Sequence, residues 1–566
     1  MSLVADPFEA RRAVVATGLL RAFNDVGLLS AADVHVAVRL AALVGEEDEA
    51  VSLAVALAVR GPRLGHVFVD LGTIRDTASV ESEEPVDLSE LPWPSPDGWI
   101  CAVGASGLVA VGEEDPAADR PLRLLGTHLY LDRYWREERS VAADLNELIA
   151  TRRLDVIAGG PGTGKTTRVA RLVARLLEEA AAHGARPPLI ALAAPTGKAA
   201  ARLQEAVHEE SPELNGLRAS TLQNGLRAST LHRLLGSRPR SRSRFAHHRG
   251  NRLPHDVVIV DETSMVSLSL MARLVEAVRP DARLVLVGDP GQLTSIEAGV
   301  VLGDIVGDGA GDGIVVLERV HRYGAGIARA AAAIRRGDCD EAVAALDDAP
   351  GEVTWLRTDV HGSGAGLELV RQRAVAAGLE VAAAAAGGDA REALAALSRF
   401  RVLCAHRRGP YGVSDWTSRV QGWLAPDIED IEQRDYAGRP LLVTENDFEL
   451  GLYNGDTGVI VQSDAGPASA VFERGRELLH FSPLRLGAVE TVYAMTVHKS
   501  QGSQFDTAAV LLPEPGSRIL TRELLYTAVT RARRRLILVG TEETVRAAVG
   551  RPVARASGLG DRLRAG

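Results

Sequence analysis

The sequence predicts an α/β protein made of two parallel-sheet lobes, with a mostly helical N-terminal domain and a small β insertion in the second lobe. Three observations predict it. Short apolar runs alternate with helix-length amphipathic segments from Leu154 to about Gly313, and again from Arg399 to the C-terminus. The run GGPGTGKTT, Gly159 to Thr167, lies between one such strand and one such helix. The chain's 566 residues also exceed what one core organises, roughly 100–200 residues per domain.

Composition bounds the function without naming it. Hydrophobic content of 46% and charged content of 24% are ordinary for a globular protein. No apolar run approaches the roughly 18 residues that cross a bilayer, and Asp6 and Glu9 stand where a signal peptide would be apolar, so a cytoplasmic protein with no membrane contact is expected. Cys101, Cys339 and Cys404 are far apart and form no C-x-x-C pair, which argues against zinc, iron–sulfur or redox chemistry. With a net charge of −10, any nucleic-acid contact must come from a local groove rather than from the whole surface.

Along the chain, residues 1–135 read as an N-terminal partner-docking domain, helical at Arg11 to Leu43 and Ala50 to Val59. The first lobe is expected over 136–313, with strands at Leu154 to Ala158, Leu189 to Ala194, Val257 to Val260 and Arg283 to Val287. The second lobe is expected over 314–566, with strands near Arg401 to Cys404, Thr507 to Leu512 and Arg535 to Val539, and an Ala-rich helix at Ala374 to Leu397. Turn signals such as Asn454-Gly455-Asp456 mark the insertion at about 438–487. A nine-residue repeat begins at Asn215 and again at Asn224, and belongs in a loop, because nine residues turn a helical face by about half a turn. The Arg-rich segment Gly236 to Arg252 reads as a solvated loop that could also meet phosphates.

The loop G-x-x-x-x-G-K-[ST] identifies a nucleotide site, because its backbone N–H groups wrap phosphate oxygens. Gly159, Gly160, Pro161, Gly162, Thr163, Gly164, Lys165, Thr166 and Thr167 are therefore assigned to ATP. Lys165 would reach the β- and γ-phosphates, and Thr166 would offer its hydroxyl to Mg²⁺. Asp261 and Glu262 follow a buried strand, where a carboxylate holds the metal and its neighbour polarises the attacking water. Gln292 could bond both the γ-phosphate and that water, and Arg322 and Arg531 are candidates to reach the γ-phosphate from the second lobe.

The segments GGPGTGKTT, APTGKAAARL (Ala194 to Leu203), STLHRLLG (Ser229 to Gly236), VVIVDETSMV (Val257 to Val266), VGDPGQL (Val287 to Leu293), HRYG (His321 to Gly324), TVHKSQGSQF (Thr496 to Phe505) and LLYTAVTRA (Leu524 to Ala532) resemble, in order, the motifs of superfamily 1 helicases. More narrowly, LYLDRYWREE (Leu129 to Glu138) and GRPLLVTENDFELGLYNGDTG (Gly438 to Gly458) are similar to segments of the RecD family, the alpha subunits of exodeoxyribonuclease V. The resemblance implies two RecA-like motor lobes and an SH3-like insertion. It also implies an ATP- and Mg²⁺-dependent 5′ to 3′ helicase acting on single- and double-stranded DNA ends, with RecB-like and RecC-like partners in double-strand-break repair. Thr196, Lys198, Thr230, His232, Thr496, Lys499, Ser500 and Gln501 match family positions that face the strand. A stand-alone DNA or RNA helicase and a DNA-clamping regulatory ATPase remain alternatives. No acidic cluster outside the ATP pocket resembles a nuclease site, so cleavage is expected from another subunit.

One departure generates a prediction. Longer chains of this resemblance place a glutamine before the first motor strand, against the adenine, whereas no glutamine occurs here before Gln204. Hydrolysis assays at equal ATP, GTP and CTP concentrations should show weak discrimination; a strong preference for ATP contradicts this reading.

Overall fold

The computed structural model describes residues 12–78, 80, 87–115, 119–210, 227–237, 244–295, 297–307, 313–317, 324–361, 364–447, 449–463, 466–475 and 477–565. Its first lobe is a six-stranded sheet, in the order Ile314–Leu317, Leu154–Gly159, Arg283–Gly288, Val257–Val260, Ile190–Ala194 and Ala228–Thr230, with every pairing parallel. Val257–Val260 is buried at all four positions, as expected of a central strand covered on both faces. The sheet takes an edge strand from beyond the boundary expected at 313, because Ile314–Leu317 pairs in parallel with Val156–Gly159.

The second lobe repeats the architecture with five parallel strands, in the order Val353–Leu356, Ala532–Val539, Phe505–Leu511, Phe400–Cys404 and Ala494–Thr496. The Ala-rich stretch forms two helices, Glu368–Ala386 and Ala390–Arg399, rather than one. Gly388 turns at φ 75 between them, and Asp389 caps the second by accepting from Glu392 N at 3.0 Å. The insertion is an antiparallel five-stranded sheet, in the order Glu477–Phe481, Gly466–Arg474, Thr457–Ser463, Pro440–Val443 and Val489–Thr491, so it runs slightly past 487.

The N-terminal region packs the helices Gly18–Asp25, Ala31–Val44 and Glu49–Arg60 against a four-stranded sheet, in the order Phe68–Asp70, His128–Leu131, Leu122–Leu125 and Val109–Val111. Ser30 and Asp33 form a reciprocal capping box at the start of Ala31–Val44. The helix Asp132–Ala150 runs straight across the expected 135/136 boundary. Arg123 joins the two sides, paired with Asp132 at 3.2 Å and stacked on Trp135 at 3.8 Å.

Two other expectations change. The first repeat copy lies outside the described residues, but the end of the second is ordered: Ala228–Thr230 is the edge strand of the first sheet and Leu231–Leu234 is a helical turn. Of the Arg-rich segment, residues 238–243 lie outside the described residues, while the described end is anchored by the buried Phe245 and by Arg249, which binds Asp144 at 2.7 Å, and is otherwise exposed at Arg244, His248, Gly250 and Asn251.

The C-terminal tail leaves the second lobe and returns to the first. Ala556 O accepts from Val67 N at 2.7 Å, Gly558 N donates to the buried Glu138 at 2.9 Å, and Arg562 pairs with the same carboxyl group at 3.1 Å. The helix Leu559–Ala565 thereby seals the first-lobe core, with Leu559 fully buried among Leu145, Leu148, Val301 and Ile305. Leu559→Ala should destabilise this junction by about 2–5 kcal/mol, the usual range for a buried leucine. The expected readout is a lower urea midpoint, and an unchanged midpoint contradicts the packing role.

Candidate active site

The phosphate loop is shaped by glycines at the end of the central strand Leu154–Gly159. Gly162 and Gly164 adopt φ 79 and φ 83, where a side chain would be strained, and the helix Lys165–Ala182 starts immediately after. Lys165 Nζ donates to Gly159 O at 2.6 Å and Gly160 O at 2.9 Å, and Thr163 Oγ1 donates to Gly160 O at 2.9 Å. Pro161, Thr166 and Thr167 complete the turn into the helix. A cavity of about 860 Å³ opens beside it, lined by Gly162, Thr163, Gly164, Thr167, Arg168 and Arg171 among others. No described residue lining it is a glutamine or asparagine.

Asp261 and Glu262 stand at the carboxyl end of Val257–Val260, two strands from the loop. Glu262 is one of three non-glycine residues described with positive φ, at 51, a strained backbone of the kind that concentrates at working sites. Its N–H donates to Asp261 Oδ1 at 2.8 Å. Burial and the neighbouring Glu262 raise the Asp261 pKa, while that N–H and Lys165 oppose the rise. Among the described residues no group of three or more His, Cys, Asp or Glu could hold a metal by itself. The hydroxyl of Thr166 and the carboxyl of Asp261 are hard oxygen donors that suit Mg²⁺, which takes few protein ligands when phosphates supply the rest.

The second lobe closes over this edge. Tyr526 lies above the loop, its hydroxyl 2.8 Å from the position a Cβ on Gly160 would take, so only glycine fits there. The same hydroxyl donates to the buried Asp289 at 3.1 Å, and Gln292 Nε2 donates to that oxygen at 3.0 Å. Leu293 N donates to Thr527 Oγ1 at 2.9 Å, and Gln501 Nε2 returns a bond to Leu293 O at 2.7 Å. Gln292 is thus buried in the seam between the lobes. Asp289 and Tyr526 were not among the expected site residues; their neighbours in VGDPGQL and LLYTAVTRA were the available signal.

Arg531 sits on the second-lobe side of the seam. Its guanidinium donates to Thr527 O at 2.9 Å, Ser503 O at 3.2 Å and Thr530 Oγ1 at 3.2 Å. Arg322 lies outside the described residues; the helix Ala325–Arg336 begins just after it.

The expected strand contacts divide into three groups. Thr230 and Thr496 end parallel strands and Thr196 lies two residues beyond one; they accept from Arg233 N at 3.3 Å, Lys499 N at 3.1 Å and Ala199 N at 3.2 Å, capping the turns that follow. His232 is exposed, and Lys499 is half-buried and paired with Glu490 at 3.3 Å. The side chains of the other three are engaged within the protein. Ser500 is fully buried and donates to Val497 O at 2.7 Å, so its hydroxyl cannot meet a strand. Gln501 and Lys198 bridge the lobes instead, Lys198 Nζ donating to Gly455 O at 3.1 Å and Ser503 Oγ at 2.8 Å.

Three family models match the chain. The RecBCD enzyme subunit RecD N-terminal domain matches residues 25–130, an AAA domain 142–358, and a UvrD-like helicase C-terminal domain 491–539. The chain is 50% identical to the RecBCD enzyme subunit RecD of Mycolicibacterium smegmatis, over 96% of this chain and 99% of that one. The chain belongs to the RecD family. It is also 49% identical to the subunit of the same name from Mycobacterium tuberculosis, over 97% of this chain and 98% of that one. To that of Haemophilus influenzae it is 30% identical, over 77% and 74%. As a RecD family member it is an ATP-dependent DNA helicase. No helix among the described residues is long and apolar enough to cross a membrane.

The bridging lysine has a pH signature. Burial lowers the Lys198 pKa to about 7, with Arg202 and Arg401 adding to the effect and Asp456 opposing it. Below that pH the folded and unfolded chains both carry the proton, and the full penalty of the enclosed charge is present. Between about 7 and the ordinary 10.5 the unfolded chain binds more protons, so stability rises with pH. Lys198→Met should therefore compare more favourably with wild type at pH 6 than at pH 9 in thermal melts; an offset independent of pH contradicts the shift.

Proposed function

We propose that this RecD family helicase is a 5′ to 3′ single-stranded DNA translocase, working at DNA ends beside RecB-like and RecC-like subunits in double-strand-break repair. The observation that carries the motor reading is the phosphate loop lying directly beneath Tyr526 of the second lobe, with Leu293 and Thr527 bonded across the same seam. A nucleotide pocket shared by two facing lobes couples its occupancy to their spacing. The polarity and the partner subunits rest on family membership and on the names of the relatives.

In this reading Lys165 and the loop N–H groups neutralise the phosphates, and Glu262 orients the attacking water. Gln292, buried in the seam and tied through Asp289 to Tyr526, registers the γ-phosphate. Arg531 and Arg322 stabilise the charge that develops on phosphoryl transfer, a contribution of about 10³–10⁵ in rate for such fingers. Thr166 and Asp261 would hold Mg²⁺, which would supply neutralisation of the phosphate charge. Hydrolysis removes the group that draws Arg531 and the loop together, so the lobes part and regrip the strand. His232 and the capping threonines Thr196, Thr230 and Thr496, at or just beyond strand carboxyl ends, place hydroxyls and backbone N–H groups where phosphates can be held without reading bases.

Lys165→Gln should abolish ATP hydrolysis and unwinding of tailed duplexes while leaving the melting temperature unchanged. Retained unwinding refutes the site. Strand displacement on 5′- and 3′-tailed duplexes, with and without candidate partner subunits, checks the polarity.

A further inference from the structure

We propose that Ser503 is a positioning residue that couples the strand-binding edge of the first lobe to Arg531. The inference rests on the assignment of Arg531 to the ATP pocket, and goes beyond it by naming the element that sets the arginine's position.

Ser503 is nearly buried and bonded in both directions. Its hydroxyl oxygen accepts from Lys198 Nζ at 2.8 Å, across the seam, while its backbone carbonyl accepts from Arg531 Nη1 at 3.2 Å, within the second lobe. Few residues could serve both bonds at once, and the local turn explains why this one does. Ser503 N donates to Ser500 O at 2.8 Å, Ser500 N donates to Thr496 O at 3.0 Å, and Gly502 takes φ 70 between them. The carbonyl of Ser503 is therefore fixed relative to Thr496, and a pull on the hydroxyl is transmitted to the peptide rather than absorbed by a rotamer.

At the other end, Lys198 is the second residue of the helix Gly197–Glu210, which starts directly after Thr196, a cap two residues beyond the strand Ile190–Ala194. Gly197 packs so tightly against Tyr453 of the insertion that a Cβ would lie 2.4 Å from the ring. Lys198 also donates to Gly455 O at 3.1 Å, so the lysine cannot move without the insertion. A strand seated at Thr196 shifts the start of this helix, and Lys198 carries the shift to Ser503 and on to Arg531. Arg531 is joined in turn to Thr527 O at 2.9 Å, and Thr527 Oγ1 to Leu293 beside Gln292. The path is a closed set of hydrogen bonds running from the strand edge to the nucleotide edge.

The test uses the full chain, a thymidine homopolymer as the strand, and steady-state ATP hydrolysis. Ser503→Ala should keep the KM for ATP and the strand-free rate, and lose about tenfold of the strand-stimulated kcat, the equivalent of one hydrogen bond. Ser503→Thr, which keeps the hydroxyl, should restore stimulation. Lys198→Met should show the same loss, and the double variant should lose no more than either single one, because both remove one bond. Wild-type stimulation of Ser503→Ala overturns the proposal, as do multiplicative effects in the double variant. Should alanine lower the melting temperature sharply, Ser503→Thr and Lys198→Met decide it: full stimulation in Lys198→Met is again fatal. Failure of the underlying pocket shows differently, since Lys165→Gln would then hydrolyse ATP whatever residue 503 does.

Discussion

Asp289 has no contact with water, and the structure of the site depends on how its carboxyl group is satisfied. Even an amide or hydroxyl left buried without a partner costs on the order of 2–7 kcal/mol, and an ionised carboxylate far more. Its oxygens accept from Gly291 N at 3.0 Å and Gln292 Nε2 at 3.0 Å on its own lobe, and from Tyr526 at 3.1 Å on the other. One of its three donors therefore leaves when the lobes separate. The closed arrangement is favoured by a defined bond whose loss leaves that oxygen with Gln292 as its remaining donor. A bond made or broken across a seam is the kind of contact that distinguishes a closed from an open arrangement in a nucleotide-driven cycle.

The core strands were legible because their chemistry is local. Val257–Val260 is apolar at every position, and a strand covered on both faces must be. Where the pattern misled, a specific feature intervened. Ala532–Val539 begins three residues before the expected Arg535, because Arg533, Arg534 and Arg535 are exposed and carry no apolar signal. Phe505–Leu511 begins before Thr507 because an irregularity in register between Phe505 and Thr507 interrupts the alternation. The return of the C-terminal tail to Glu138 left no signal at all, since both partners of a buried ion pair look like surface residues in one dimension.

The site divides along the same line. A phosphate loop is a backbone device with its residues contiguous, so Gly159 to Thr167 is readable from nine letters. Tyr526 and Asp289 are separated by 237 positions, and although each lies inside a quoted motif, nothing in either motif says that the two side chains meet. Lys198 and Gln501 sit in motifs whose resemblance suggested strand contact, yet their side chains reach Ser503 and Leu293, more than two hundred positions away. Ser500 illustrates the opposite error: a hydroxyl in the right motif is turned inward and bonded to Val497 O at 2.7 Å.

These reassignments bear on how a strand can be held at all. With Lys198, Ser500 and Gln501 committed inside the protein, the edge keeps only hydroxyls already engaged as caps, an exposed His232 and a Lys499 whose ammonium faces Glu490. Of the eight positions expected to face the strand, Lys499 is the one described lysine whose side chain does not bridge the lobes. Each released counterion strengthens binding and steepens its salt dependence, so a grip with few lysines is weak and easily let go. Weak grip suits a device that must release its track at every turnover, and it shifts the demand for holding the DNA end onto whatever surface accompanies this chain. In the proposed cycle the lobes need only sense the strand, through the bonds that cross the seam.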